Sequence, residues 1–122
     1  MKLKVKISLA DEKSEGFMGI GLVWLLRRIK KFKSINRAAR DMDMSYVKAL
    51  RILKRLEDNL GRKMLVRTKG GKDRGGTELT PFAERFIEEY DRFQEDVKSY
   101  SEKKFSAFRR KFELKKKERR RH

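Results

Sequence analysis

The sequence predicts a mainly α fold with a small β wing and one long closing helix, and three observations carry that prediction. Ser34 to Tyr46 read SINRAARDMDMSY, in which Ile35, Ala38, Ala39 and Met42 recur at spacings of three, one and three. That is one face of a short helix. Two short β-prone runs, Met64 to Thr68 and Thr77 to Leu79, flank the glycine-rich KGGKDRGG. Beyond the only proline, Pro81, the residues Phe86, Tyr90, Phe93, Val97 and Tyr100 step by four, three, four and three, a heptad seam on a long helix.

Each element follows in chain order. Lys2 to Leu9 alternates strictly, with Leu3, Val5, Ile7 and Leu9 against Lys2, Lys4, Lys6 and Ser8, which predicts a strand with one wet, basic face. Gly16, Gly19 and Gly21 break that pattern and lead into a first helix over about 20–32. Its apolar stripe is Leu22, Leu25, Leu26 and Ile29, flanked by Val23, Trp24 and Phe32, and its other face is cationic. The short helix from Ile35 breaks at Asp43-Met44, and Ser45 is placed to cap a second one reading YVKALRILKRLEDNL. On that helix Tyr46, Ala49, Leu50, Leu53, Leu56 and Leu60 cluster on one side, opposite Lys48, Arg51, Lys54 and Arg55. Gly61 stands where a helix-ending glycine belongs. The two strand candidates and their basic loop form the wing, and Thr80-Pro81 starts the last helix.

These elements make a winged helix-turn-helix with a long C-terminal dimerisation helix. The expected divisions are 1–80 for the DNA-binding domain with its N-terminal strand, 81–112 for the long helix, and 113–122 for a basic, disordered tail. A helix over 81–112 spans about 48 Å at ~1.5 Å per residue. A domain this small cannot cover it, so the seam Phe86, Tyr90, Phe93, Val97 and Tyr100 is expected to meet a second copy. A base-stacking role is the weaker reading, because the outer face holds Glu84, Glu88, Glu89, Asp91, Glu95 and Asp96.

Composition narrows the function. The chain has 122 residues, 38% hydrophobic and 43% charged, with a net charge of +17. Residues 1–80 hold 21 Lys/Arg against 9 Asp/Glu, residues 81–102 hold 3 against 7, and residues 103–122 hold 11 against 2. A polyanion suits the two basic regions, since each phosphate contact releases condensed counterions. Cysteine is absent, and the single histidine is His122. Neither a thiolate metal site nor an acid/base pair is therefore expected, and Asp41 and Asp43 read as turn residues. No apolar run approaches the ~18 residues of a membrane span. The expectation is a cytoplasmic, nucleoid-associated protein that is no enzyme, needs no cofactor, and has no evident membrane or small-molecule ligand. Gly16, Gly19 and Gly21 lack dinucleotide spacing, and KGGKDRGG is no nucleotide-phosphate loop.

The candidate site has three parts. Ser45, Tyr46, Lys48, Arg51, Lys54 and Arg55 on the helix over about 45–60 form the recognition face, with Arg51 as the guanine reader. Its bland alternative is a solvated surface, and Tyr46 could equally be core. Ser45 and Tyr46 sit at the helix N-terminus, where N–H groups and hydroxyls suit phosphate, and Ser34, Asn36 and Arg37 are the expected DNA contacts at the entry of the motif. The wing 69–76 supplies Lys69, Gly70, Gly71, Lys72 and Arg74 to the DNA backbone or minor groove, unless it is only a hairpin turn. The basic tail adds sequence-blind affinity or is merely solvated.

Together, Ser34-Ile35, Ala38-Ala39, Ser45-Tyr46, Ala49, Leu65-Val66, Gly70-Gly71-Lys72, Gly75-Gly76, Leu79-Thr80 and the Arg85 to Tyr90 helix resemble the N-terminal DNA-binding domain of the ModE family of molybdate-responsive regulators. That domain is related to the winged helix of LysR-type regulators, and the likeness covers roughly Met18 to Tyr100. It implies winged-helix DNA binding and homodimerisation through the first strand and the long helices. Val47 and Leu50 stand where the family often has Lys and Trp, and Asp73 and Arg74 interrupt the wing glycines. The family's molybdate-binding domains have no counterpart before His122, so the likeness carries no effector.

The expected function is a homodimeric, sequence-specific regulator of transcription on double-stranded DNA, reading an inverted repeat. The rival is a chromatin protein that coats DNA without sequence preference. An RNA-binding module is a weaker third.

Overall fold

Side-chain caps set the helix bounds in the computed structural model, which describes residues 1–68 and 76–121, with side chains up to Glu113. α1 (Ile20–Phe32) ends on Lys33, whose backbone is left-handed at φ 56°. In α2 (Ile35–Asp41) and α3 (Tyr46–Leu60), Ser34 and Ser45 each accept a hydrogen bond from the backbone N–H three residues on. Gly61 closes α3 at φ 66°, a conformation that costs an L-residue about 1–2 kcal/mol. Thr80 Oγ1 accepts from the Ala83 N–H at 3.1 Å and starts α4 (Pro81–Arg121).

Two antiparallel hairpins complete the described chain. β1 (Leu9–Ala10) pairs with β2 (Gly16–Met18), with an irregularity between Leu9 and Ala10. β3 (Leu65–Arg67) pairs with β4 (Thr77–Leu79) in the register Leu65–Leu79, Val66–Glu78 and Arg67–Thr77.

The chain divides into two compact units, Ile7–Glu88 and the paired segments Met1–Lys6 and Glu89–His122. In the first, α1 supplies Leu22, Val23, Leu25, Leu26 and Ile29 to the core, and α3 adds Ala49, Leu53 and Leu56. Each large aliphatic side chain buried this way contributes about 1.5–3 kcal/mol. Ala38 and Ala39 are fully buried in α2, which lies against both α1 and α3. Small side chains there let the three helices approach closely. Trp24, on the flank of α1, is 49% exposed and outside that core.

In the second unit, Tyr90 and Gln94 are buried, while Val97, Ser101 and Phe105 are half-buried. Leu3 and Val5 line an open apolar groove of about 500 Å³ with Tyr100, Phe105 and Phe108.

Two expectations are corrected here. The strand expected over Lys2 to Leu9 is strand only at Leu9–Ala10. The alternation survives as burial, with Leu3, Val5, Ile7 and Leu9 half-covered and Lys2, Lys4, Lys6 and Ser8 exposed. A ladder needs an edge to pair with, and β2 offers only three residues. The long helix also runs on past Phe112 to Arg121, through the segment expected to be disordered. That segment is built of Glu, Leu, Lys and Arg, all good helix formers, and no Gly or Pro interrupts it. Among the described residues, no helix is long and apolar enough to cross a membrane.

Candidate nucleic-acid interface

The turn between α2 and α3 fixes how the second helix is presented. Met42 and Met44 both donate to the Ala39 carbonyl, at 3.0 and 2.9 Å, and Asp43 donates to that of Arg40. This tight reversal puts Asp43 at φ 52°. Aspartate tolerates the left-handed region better than most residues, which accounts for an acid at this point in a basic motif.

Val47, Arg51, Lys54 and Asp58 are spaced four, three and four apart along α3 and are all exposed, with exposed Lys48 beside them. Among the described residues, no carboxylate lies within ion-pair distance of Lys48, Arg51 or Lys54. Arg55 differs. Its Nη2 reaches Asp11 Oδ2 at 3.5 Å and Glu15 Oε2 at 3.1 Å, so it is tied to the β1–β2 turn. The backbone N–H of Glu15 lowers the Asp11 pKa most; desolvation opposes this, and the Lys13 N–H and Arg55 lower it further. The acids lie 44 and 40 positions upstream of Arg55, too distant for helical periodicity to reveal the pairing.

The start of the motif forms a second surface. Lys33, Ser34, Asn36, Tyr46, Arg67 and Thr68 line an open cleft of about 690 Å³. Tyr46 is 40% exposed at this cleft and is not a core residue. Ser34 and Ser45 use their oxygens as cap acceptors, leaving each hydroxyl proton to donate outward. Arg37 is exposed and lies over the Phe32 ring at 4.9 Å.

The root of the wing is anchored at the same place. Thr77 N–H donates to the Lys33 carbonyl at 2.9 Å, and Gly76 N–H to Thr68 Oγ1 at 3.1 Å. Lys33, Arg67 and Thr68 were not among the expected site residues: Lys33 directly precedes the Ser34 cap, and only this long-range anchor brings Arg67 and Thr68 beside it. Val47 was also missed, although its spacing from Arg51 and Lys54 could have found it. Lys69, Gly70, Gly71, Lys72 and Arg74 lie outside the described residues.

The expected dimer seam divides in two. Tyr90 is 4% exposed within a single chain, and Ala83, Ile87, Tyr90 and Gln94 form a buried stripe along α4. Burial raises the Tyr90 pKa. Phe86 is half-buried and stacks on Phe82, with ring centroids 6.2 Å apart. Phe93 and Tyr100 remain 47% and 63% exposed, with Val97 half-covered between them. Tyr90 is therefore spent inside the chain, and the exposed aromatic row continues instead through Phe108 and Phe112.

The sequence of this region is similar to that of known proteins. Residues 23–84 match the family described as bacterial regulatory helix-turn-helix protein, lysR family. The chain is 42% identical over 69 residues to "Transcriptional regulator ModE" of Haemophilus influenzae, covering 57% of this chain and 27% of that protein. It is 35% identical over 66 residues to "Molybdenum transport protein ModE" of Azotobacter vinelandii, covering 54% of this chain and 24% of that one. The match spans about a quarter of each relative's length. The matched span runs from α1 to the start of α4, the elements that carry the motif and the wing root. By that match the chain belongs to the lysR family of bacterial regulatory helix-turn-helix proteins.

Proposed function

We propose that this chain is a transcriptional regulator that binds duplex DNA as a homodimer, with α3 in the major groove of a preferred sequence. The observation that carries this reading is the exposed ridge of α3. Arg51 and Lys54 stand on it, and Lys48 beside it, without carboxylate partners among the described residues. Paired cations gain little by moving onto phosphate, whereas unpaired ones release counterions when they do.

Each part of the surface then has a task. Arg51 offers a planar fork suited to guanine O6 and N7. Lys48 and Lys54 contact phosphates on either wall of the groove. Ser34, Asn36 and Tyr46, with Lys33 and Arg67 behind them, offer donors to a backbone phosphate at the cleft and so fix register. Arg37 adds charge beside it. The wing, with Lys69, Gly70, Gly71, Lys72 and Arg74, follows the flanking backbone. Arg55 has no base-reading role in this scheme; it steadies α3 through Asp11 and Glu15.

The exposed aromatics of α4 supply the dimer contact. Phe93, Tyr100, Phe108 and Phe112 together present more apolar surface than a solvated helix usually carries. A two-fold dimer brings two α3 helices to two half-sites, so the operator is an inverted repeat.

Titration against a genomic fragment library at ~200 mM salt, followed by sequencing of the bound fraction, tests the reading. A sharp inverted repeat is expected, and Arg51→Ala should lose about 1–3 kcal/mol of preference at one base pair per half-site. Uniform coverage would instead identify a protein that coats DNA, a reading the +17 charge favours.

A further inference from the structure

Val47 is 70% exposed, the most exposed large apolar side chain among the described residues. It is the second residue of α3 and stands one turn before Arg51 on the same ridge. A β-branched residue on an exposed helix surface loses rotamer freedom and recovers nothing by packing. Its nearest neighbours on that surface are the cations Lys48, Arg51 and Lys54, and Val47 is the one apolar side chain in the row that runs on to Asp58. A cation at this position would add phosphate affinity. A branched aliphatic group adds none, and gains only where a partner presents apolar surface.

In the major groove one base carries such a group. Thymine projects its C5 methyl there, and small apolar side chains recognise it by contact. The N-terminal residues of a recognition helix are also the ones that meet base edges. We infer that Val47 is a specificity-determining residue that packs against a thymine methyl, beside the guanine taken by Arg51. This rests on the proposed placement of α3 in the major groove.

The geometry limits where that thymine lies. Four residues of helix advance about 6 Å at ~1.5 Å per residue. Stacked base pairs rise about 3.4 Å. The thymine is therefore within about two base pairs of the guanine in each half-site.

The test uses duplexes carrying the sequence that the chain selects from a randomised library. Thymine is replaced by deoxyuracil at one position at a time, which removes only the methyl group. Wild type should bind about fourfold more weakly when the thymine beside the guanine is replaced, the loss expected for one buried methyl. Val47→Ser, which replaces the branched methyls by a hydroxyl, should fold normally, since the side chain is 70% exposed, and should bind both duplexes alike. Its selected motif should keep the guanine and lose the thymine.

Two results would overturn the inference alone: a selected motif with no thymine near the guanine, or Val47→Ser retaining the full fourfold preference for the methyl. Failure to select any motif would overturn both the inference and the sequence-specific reading beneath it.

Discussion

The helix-turn-helix and the distal half of α4 are both helical and strongly charged, yet they expose opposite kinds of surface. In α2 and α3 the apolar residues Ile35, Ala38, Ala39, Ala49, Leu53 and Leu56 are buried, and cations dominate what remains outside. In α4 beyond Tyr90 it is Phe93, Tyr100, Phe108 and Phe112 that stay outside. An exposed lysine is at home in water; an exposed row of phenyl rings is not. The first region has thus completed its folding within one chain and keeps a surface for an anionic partner. The second has apolar area still to bury.

The largest effect that separates the two regions should come from charging the aromatic row. Tyr100→Asp or Phe108→Asp should weaken self-association by about 2 kcal/mol or more and leave the helix-turn-helix folded. Sedimentation and far-UV circular dichroism read the two consequences separately. A variant that remained as dimeric as wild type would remove α4 from the interface.

A middle-sized effect tests the other region. A Cβ built on Gly76 would sit 2.9 Å from the Lys33 carbonyl, a backbone atom that also receives Thr77 N–H. Gly76→Ala must displace the root of the wing, costing about 1–3 kcal/mol. Thermal melts should report that loss while the dimerisation constant stays put. If the melt is unchanged, the anchor between α1 and β4 is looser than its geometry implies.

The smallest effect is acidic. The Asp11 carboxyl is held below its ordinary value of 3.8, chiefly by the Glu15 N–H. A depressed carboxylate stabilises the fold fully above that ordinary value, and the contribution fades as pH falls through the lowered one. Stability of Asp11→Asn should therefore be lower than wild type at neutral pH and converge with it at the acid end. Parallel curves down to pH ~2 would mean that this carboxylate does not stabilise the fold.

How much of this was legible in the sequence depended on distance along the chain. Ser34, Ser45, Thr80-Pro81 and Gly61 mark their helix ends by local chemistry, and the α1, α3 and β4 spans follow the apolar pattern. What escaped were pairings between remote segments. Leu3, Val5 and Ile7 keep their alternation, but nothing in it says that only Leu9–Ala10 finds a partner strand. Tyr90 lies on two interleaved stripes of α4, and a heptad count cannot decide which one is buried. Gln94, polar and yet 4% exposed, lies outside any apolar count. On α3, the exposure of Lys48, Arg51 and Lys54 was readable from the helical wheel, whereas the diversion of Arg55 and the joining of Lys33 to Arg67 were not.

The tether from Arg55 to Asp11 and Glu15 also limits how small a working reader can be. A peptide holding only α2 and α3 would keep both serine caps and the turn at Asp43. It would leave behind the two carboxylates that neutralise Arg55, and so gain a free cation next to Lys48 and Arg51. On the proposed reading, trimming the motif or grafting it onto another scaffold would therefore shift it toward charge-driven, less discriminating attachment to DNA. The acidic hairpin ahead of α1 thus sets part of the charge that α3 presents.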